Sequence, residues 1–121
     1  MKLWFGPAIF TIMVGLSGCG AREQPAPAGG TRIAVADSPT MQHYLLSSTT
    51  MPNGHREAMI QENGRNGLQT FKRYDVDCAA QRMTQLGRAA TAEAAQRGEG
   101  AQAESIDART GASADYRAAI C

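Results

Sequence analysis

The chain has 121 residues, and its 12 Lys and Arg nearly balance its 11 Asp and Glu. A nucleic-acid-binding domain needs a basic stripe, so this balance argues against one. Aromatic residues make up only 6% of the chain, and a small domain with so lean a core usually needs a staple such as a disulfide.

The chain begins with Lys2 and continues as a mostly apolar run from Leu3 to Leu16. This run is too short, and too interrupted by Gly6 and Pro7, for a membrane-spanning helix. A charged start, an apolar middle and small residues at the end are the layout of a secretory signal peptide. The alternatives are an ordinary signal peptide with a chance cysteine and a cytosolic chain with a buried N-terminal helix.

The sequence LSGC at 16–19 resembles the lipobox of bacterial lipoproteins, in which an aliphatic residue and two small residues precede a cysteine. The resemblance implies that residues 1–18 are a cleaved signal peptide, and that Cys19 is the lipid attachment site, acylated on its thiol and its freed amine. Several acyl chains make a membrane anchor effectively permanent. Gly20 follows the cysteine where an acidic residue would be a retention signal, which implies the outer membrane of the cell envelope.

Residues 19–31 are expected to form a flexible tether that starts at the lipidated cysteine. They are small and polar and contain proline, a composition that cannot bury a core. The remaining residues, 32–121, are enough for one small domain.

Two cysteines remain for this domain once Cys19 carries lipid. In an oxidising envelope compartment, an even pair such as Cys78 and Cys121 indicates a disulfide. On the chain-entropy model, closing a loop of about 44 residues stabilises the fold by roughly 4 kcal/mol at most. Two free thiols are the alternative.

The first half of the domain has the pattern of an antiparallel β-meander. Residues 32–36 are either a short strand or the end of the tether. Three strand-length segments follow, separated by turns that contain Asn-Gly pairs; they span residues 40–50, 55–62 and 68–78. In the last of them, a period of two places Tyr74, Val76 and Cys78 on the core face, and Lys72 interrupts the apolar pattern.

Residues 79–97, at the start of the second half, are ambiguous between a helix and strands. Residues 79–97 are rich in Ala, Gln and Arg, and their apolar residues form a helical stripe, namely Ala79, Met83, Leu86 and Ala90. The glycines at 98 and 100 end this segment, and residues 101–110 are predicted to be a loop. A last helix is expected with Ser113 as N-cap, with Tyr116, Ala119 and Ile120 facing the sheet.

Two short segments are similar to small bacterial lipoproteins of the surface-adhesin protein E family. One is residues 72–82, with its Asp-Cys followed by a basic residue, and the other is residues 111–121, with Gly and Ser, a short helix and a final Cys. The resemblance implies an antiparallel sheet with a C-terminal helix held against it. It agrees with a Cys78–Cys121 bridge and implies that residues 80–96 contain further strands.

Catalytic and metal-binding patterns are sparse, so we expect no enzyme, no cofactor and no metal site. Asp75 and Asp77 share one face of a strand. Such a pair more often lies on a solvated strand face than in a catalytic or metal-binding site. His43 and His55 flank the first turn and could meet across a hairpin, but two imidazoles without an acid cluster make a weak metal site. Ordinary surface histidines are the alternative. Cys78 lies in an apolar setting, which disfavours a thiolate nucleophile.

Basic residues at 65, 72, 73 and 82 are the one charged cluster of interest, because a shared sheet face would let them meet an acidic partner or an anionic glycan. Scattered solvating charge is the alternative. The sequence therefore predicts an α+β envelope lipoprotein with a non-enzymatic binding or adhesin-like role. A structural subunit of an envelope assembly, such as a secretion or conjugation apparatus, is the second hypothesis.

Overall fold

The computed structural model of the chain describes residues 27–121. The expected signal peptide, the lipid attachment site Cys19 and residues 20–26 of the expected tether lie outside the described residues. Six strands and two helices make up the described part, in the following order along the chain: β1 Thr31–Ile33, β2 Gln42–Thr50, β3 Arg56–Asn63, β4 Gln69–Asp77, β5 Arg82–Ala89, α1 Ala92–Gln96, β6 Ser105–Asp107 and α2 Gly111–Ile120.

The six strands form a single antiparallel sheet whose spatial order is the chain order, β1 to β6. This confirms the predicted meander and the α+β class. The sheet begins at Thr31, the last residue of the expected tether. Of residues 32–36, which were either strand or tether, only Arg32 and Ile33 are in a strand. Among residues 27–121, neither helix is long and apolar enough to cross a membrane.

Asn-Gly pairs form both of the predicted turns. Between β2 and β3, the Gly54 amide donates to Met51 O at 2.9 Å, and Gly54 has a φ of +84°, which favours glycine. Between β3 and β4, Gly67 has a φ of +81°, and the Asn66 side chain accepts from the Leu68 amide. Local turn chemistry therefore sets the strand pairing of the central hairpins.

One face of the sheet packs against α2 and holds the main core. Tyr116 and Ile120 are the buried residues of α2, four apart on one side of the helix. They belong to a cluster with residues of β1, β3, β4 and β5 and of two adjoining loops, namely Ile33, Val35, Ala58, Ile60, Tyr74, Val76, Met83 and Ala108. The prediction that Tyr116 and Ile120 face the sheet is confirmed, whereas Ala119 is exposed.

The opposite face is covered in part by the short helix α1. Ala94 and Ala95 of α1 form a second buried cluster with Met59 of β3 and Ala89 of β5. Gly87 permits this close approach, because a Cβ at this position would lie 2.0 Å from the Ala95 carbonyl oxygen. The sheet is therefore covered by helices on both faces, but unequally.

Residues 79–97, which the sequence left open between a helix and strands, are not helical for most of their length. Residues 82–89 form strand β5, and only Ala92–Gln96 is helical, with the Thr91 side chain capping its first turn. The register of β5 shifts at Leu86, where one extra residue separates two pairs with β4. Such a bulge reverses the faces of the residues after it, so the apolar spacing of this strand imitates a helix.

Two smaller predictions are also corrected at the C-terminal end. Residues 105–107, expected to be a loop, form strand β6, which pairs with β5. The helix α2 begins at Gly111 with Thr110 at its N-cap, so Ser113 lies inside its first turn. A three-residue strand without buried side chains has too little pattern to be recognised from sequence.

A disulfide between Cys78 and Cys121 joins the end of α2 to the residue after β4. The two Cα atoms lie 5.9 Å apart, within the range that disulfides require. Cys78 packs against the main core, next to the strand end at Asp77. The predicted pairing is confirmed, and the loop that it closes contains β5, α1, β6 and α2.

We expect the double variant Cys78→Ser/Cys121→Ser to lose about 2–4 kcal/mol of unfolding free energy, because its unfolded chain regains the entropy of an open loop. Urea unfolding of the oxidised protein and of the variant would measure the difference. Equal midpoints for the two proteins would show that the bridge contributes nothing to stability.

We expect Gly87→Ala to destabilise the protein by about 1–3 kcal/mol, because its new methyl group forces the β5 backbone away from α1. Gly64→Ala is the matched control, since its Cβ would come no closer than 3.2 Å to the Asn66 side chain. Thermal unfolding of both variants would check this, and a Gly87→Ala protein as stable as the control would contradict the close packing.

Candidate binding cleft

A cluster of four polar side chains lies buried between the sheet and α2. Lys72 of β4 donates a short hydrogen bond to Glu62 of β3, and the Lys72 Nζ lies 3.4 Å from the Tyr116 hydroxyl and 5.6 Å from its ring centre. His43 of β2 contacts the same hydroxyl through Nδ1, at 2.6 Å. Each strand register places its member on the α2 side, so the cluster docks the helix through polar as well as apolar contacts.

Burial changes the proton equilibria of this cluster. Loss of water lowers the pKa of His43, an effect that the neighbouring Glu62 carboxylate partly opposes. Burial raises the pKa of Tyr74 to about 12 and that of Tyr116 above its ordinary value. Both phenols therefore stay protonated at neutral pH and His43 stays largely neutral, which suits a structural cluster.

His55 lies on the opposite face of the sheet, with both carboxylates of the predicted pair. Its Nδ1 is 2.8 Å from Asp75 Oδ1, and its Nε2 is 3.3 Å from Asp77 Oδ2. Asp75 and Asp77 do share one strand face, as predicted. Because each carboxylate occupies a different ring nitrogen, the three groups do not converge on one point.

The two histidines do not meet across the hairpin, because β2 directs His43 into the α2 side while His55 approaches the other face. His43 is not a surface histidine either, because it is buried. Within residues 27–121, no group of three or more His, Cys, Asp or Glu side chains is arranged to hold a metal ion. Cys78 is in the disulfide and is not a free thiol.

The four basic residues at 65, 72, 73 and 82 do not gather on one face, which agrees with the alternative of scattered charge. Lys72 and Arg73 are neighbours in a strand and point to opposite sides, Lys72 to Glu62 and Arg73 to Glu57. Arg82 bonds to Ser105 at the far end of the sheet. Of the four residues, only Arg65 remains without a hydrogen bond or ion pair in the described part of the chain.

Arg65 instead lies at an open cleft of about 440 Å³ beside the β3–β4 turn. The cleft occupies the α2 side of the sheet, where Glu62, Thr70 and Arg88 follow one another across β3, β4 and β5. The Arg88 guanidinium also has no hydrogen bond or ion pair within residues 27–121. Two unpaired cations therefore face the same opening.

Apolar side chains complete the cleft. Met41 lies in the segment before β2 with 38% of its surface exposed, and Leu68 at the end of the β3–β4 turn is 67% exposed. Sequence analysis missed Arg88, because it lies within the segment that was left open between a helix and strands. If the bulge in β5 had been recognised, the alternation of side chains after it would have placed Arg88 beside Lys72 on the same face of the sheet.

Comparisons with known proteins give no relative: the chain matches no protein-family model, and no curated protein or solved structure matches it. The lipobox and the similarity to the protein E family therefore stay predictions from the sequence. The site has to be interpreted from its own chemistry.

We expect acidification to destabilise the protein through His43. The unfolded imidazole binds a proton at a pKa of about 6.5, whereas the folded group resists it. Stability therefore falls as the pH drops below about 6.5, by at most about 1.4 kcal/mol per pH unit. Urea unfolding at pH 7.5 and pH 5.5 would measure the loss.

The variant His43→Gln should lose much less stability than the wild type between these two pH values. His55→Gln is the matched control, because it removes the only other histidine and leaves the buried cluster intact. An equally steep loss in the His43→Gln protein would contradict the assignment.

Proposed function

We propose that this chain is a membrane-anchored lipoprotein of the bacterial cell envelope, placed at the outer membrane, whose disulfide-stapled domain binds a partner and does not catalyse a reaction. The anchor rests on the sequence: an apolar leader, the LSGC sequence that ends at Cys19, and a tether rich in small residues. Membrane lipid is thus the first partner, through the acylated cysteine.

The observation that carries the binding role is the cleft with two unpaired guanidinium groups. Lys72, Arg73 and Arg109 are neutralised by carboxylates of the same chain. Arg65 and Arg88 have no carboxylate partner within residues 27–121, as is also true of Arg32 and Arg97, and they differ from those two in lining one concave surface together. Concave surfaces with a few polar groups and apolar walls are where proteins bind ligands.

The positions of the two histidines support a non-enzymatic role for the cleft. His43 is only 3% exposed and bonded to Tyr116. Each ring nitrogen of His55 contacts a carboxylate, Nδ1 that of Asp75 and Nε2 that of Asp77. Neither is placed to exchange a proton with a molecule in the cleft, since neither lines it.

The resemblance to the protein E family favours an adhesin-like form of this binding role. The six-stranded sheet, the C-terminal helix and the bridge to that helix agree with the fold that the resemblance implies. The resemblance covers two short segments, so it supports the class of function and not a particular receptor.

A second candidate function is a structural subunit of an envelope assembly, favoured by the edge of β2. The strand β1 pairs only with residues 43–45. No strand of the described residues pairs with the outer side of β2 from Ser47 to Thr50. An exposed strand edge is the surface to which another chain adds a strand.

We expect the protein extracted from a bacterial membrane fraction to have the intact, non-reduced mass of residues 19–121 plus acyl groups, less two hydrogens for the bridge. The variant Cys19→Ser is the control, and we expect it to carry no acyl groups and to be absent from the membrane fraction. An unlipidated mass for the wild-type protein would overturn the anchored model.

Two fractionation results separate the candidate functions. Cleavage of the domain by protease added to whole cells, together with recovery as a small particle in detergent, supports a surface binding protein. Recovery in a large detergent-resistant particle supports the structural subunit instead.

A further inference from the structure

We propose that the cleft beside the β3–β4 turn binds an acidic peptide segment of a protein partner, in which carboxylates lie next to an apolar side chain. This inference rests on the proposed binding function and names the chemistry of its ligand. Arg65 and Arg88 take the carboxylates, and Met41 and Leu68 take the apolar group.

The charge of the cleft is the first argument. Glu62 is the only acidic residue that lines it, and Lys72 neutralises that carboxylate from within the core. The charges that remain at the opening are the two guanidinium groups of Arg65 and Arg88. A guanidinium binds a carboxylate through two parallel hydrogen bonds, so two of them can hold two successive acidic side chains.

The position of Leu68 is the second argument. The backbone of Leu68 is held in the turn by two hydrogen bonds. Its amide donates to Asn66 Oδ1 at 3.2 Å, and its carbonyl accepts from the Gly64 amide at 2.8 Å. The turn thus presents an apolar side chain to solvent next to Arg65 at a fixed place. Met and Arg are enriched in protein interfaces, and fixed apolar groups bind with little loss of entropy.

The lining also favours a peptide over an anionic glycan. No aromatic ring is among the residues that line the cleft, so the flat face against which a sugar ring would stack is missing there. The volume of about 440 Å³ suits a few side chains of a peptide. A long basic track, which a nucleic acid would require, is absent from the same surface.

Fluorescence polarisation with a labelled nonapeptide (Glu-Glu-Leu)₃ tests this, using the full chain in detergent micelles and protein-free micelles as the blank. We expect saturable binding that weakens at least tenfold when the carboxylates are replaced, in (Gln-Gln-Leu)₃. Raising the salt from 50 to 500 mM should weaken it severalfold, because the contacts are ionic.

Charge reversal locates the site. Arg65→Glu/Arg88→Glu should weaken binding of the acidic peptide at least tenfold. Arg32→Glu/Arg97→Glu is the matched control: it makes the same change in net charge with two exposed arginines outside the cleft, and it should bind within twofold of the wild type. Leu68→Ala should weaken binding by a smaller factor without changing its salt dependence.

Equal losses in the two double variants would overturn the proposal, since they would show a general effect of net charge. Binding of a polyglucuronate oligosaccharide, but not of the peptide, with the same dependence on Arg65 and Arg88 would overturn the peptide and leave a binding protein. No binding of (Glu-Glu-Leu)₃ by the wild type would overturn the inference alone, because the mass of the membrane form tests the anchored function independently.

Discussion

The buried contact of Lys72 with Glu62 and Tyr116 is the interaction on which the arrangement of this domain depends. Removing two charges from water is costly, and their attraction offsets this cost only when the partners meet in one geometry. That geometry requires β3 and β4 in their observed register and α2 with Tyr116 over them. A slip of either strand by one residue would leave one charged side chain of the pair buried without its partner. The pair therefore favours this packing over other registers.

The extent to which sequence predicted the fold follows from how local the signals are. Asn-Gly turns and alternating residues identify β2, β3 and β4, and cysteine pairing identifies the contact of α2 with the sheet, because these signals lie in short segments or in one residue type. The strand β5 could not be told from a helix, because its bulge at Leu86 breaks the alternation and because the Ala and Gln content of residues 79–97 favours a helix, which tertiary pairing overrides.

The candidate site was harder to predict, because it depends on which face of the sheet each charged side chain occupies. Lys72 and Arg73 are adjacent in sequence and similar in chemistry, yet one stabilises the core and the other binds Glu57 on the opposite side. Arg65 and Arg88 are 23 positions apart and face one opening. Assigning a charge to a partner or to solvent requires the register of three strands, and the sequence left one of these strands open against a helix.

The agreement between chain order and sheet order has a consequence for how the domain folds. Each strand pairs with its neighbours in sequence. The hairpins from β2 to β5 close through short loops, whereas the link from β5 to β6 contains α1. Pairing between neighbours in sequence favours rapid folding. The distant contacts are concentrated in α2, which reaches back to β1 and β2 and through Asp115 to the amide of Ala36. During synthesis, which starts at the N-terminus, the chain can therefore form its hairpins one after another. The Cys78–Cys121 disulfide can form only after α2 has been made and has packed against the sheet.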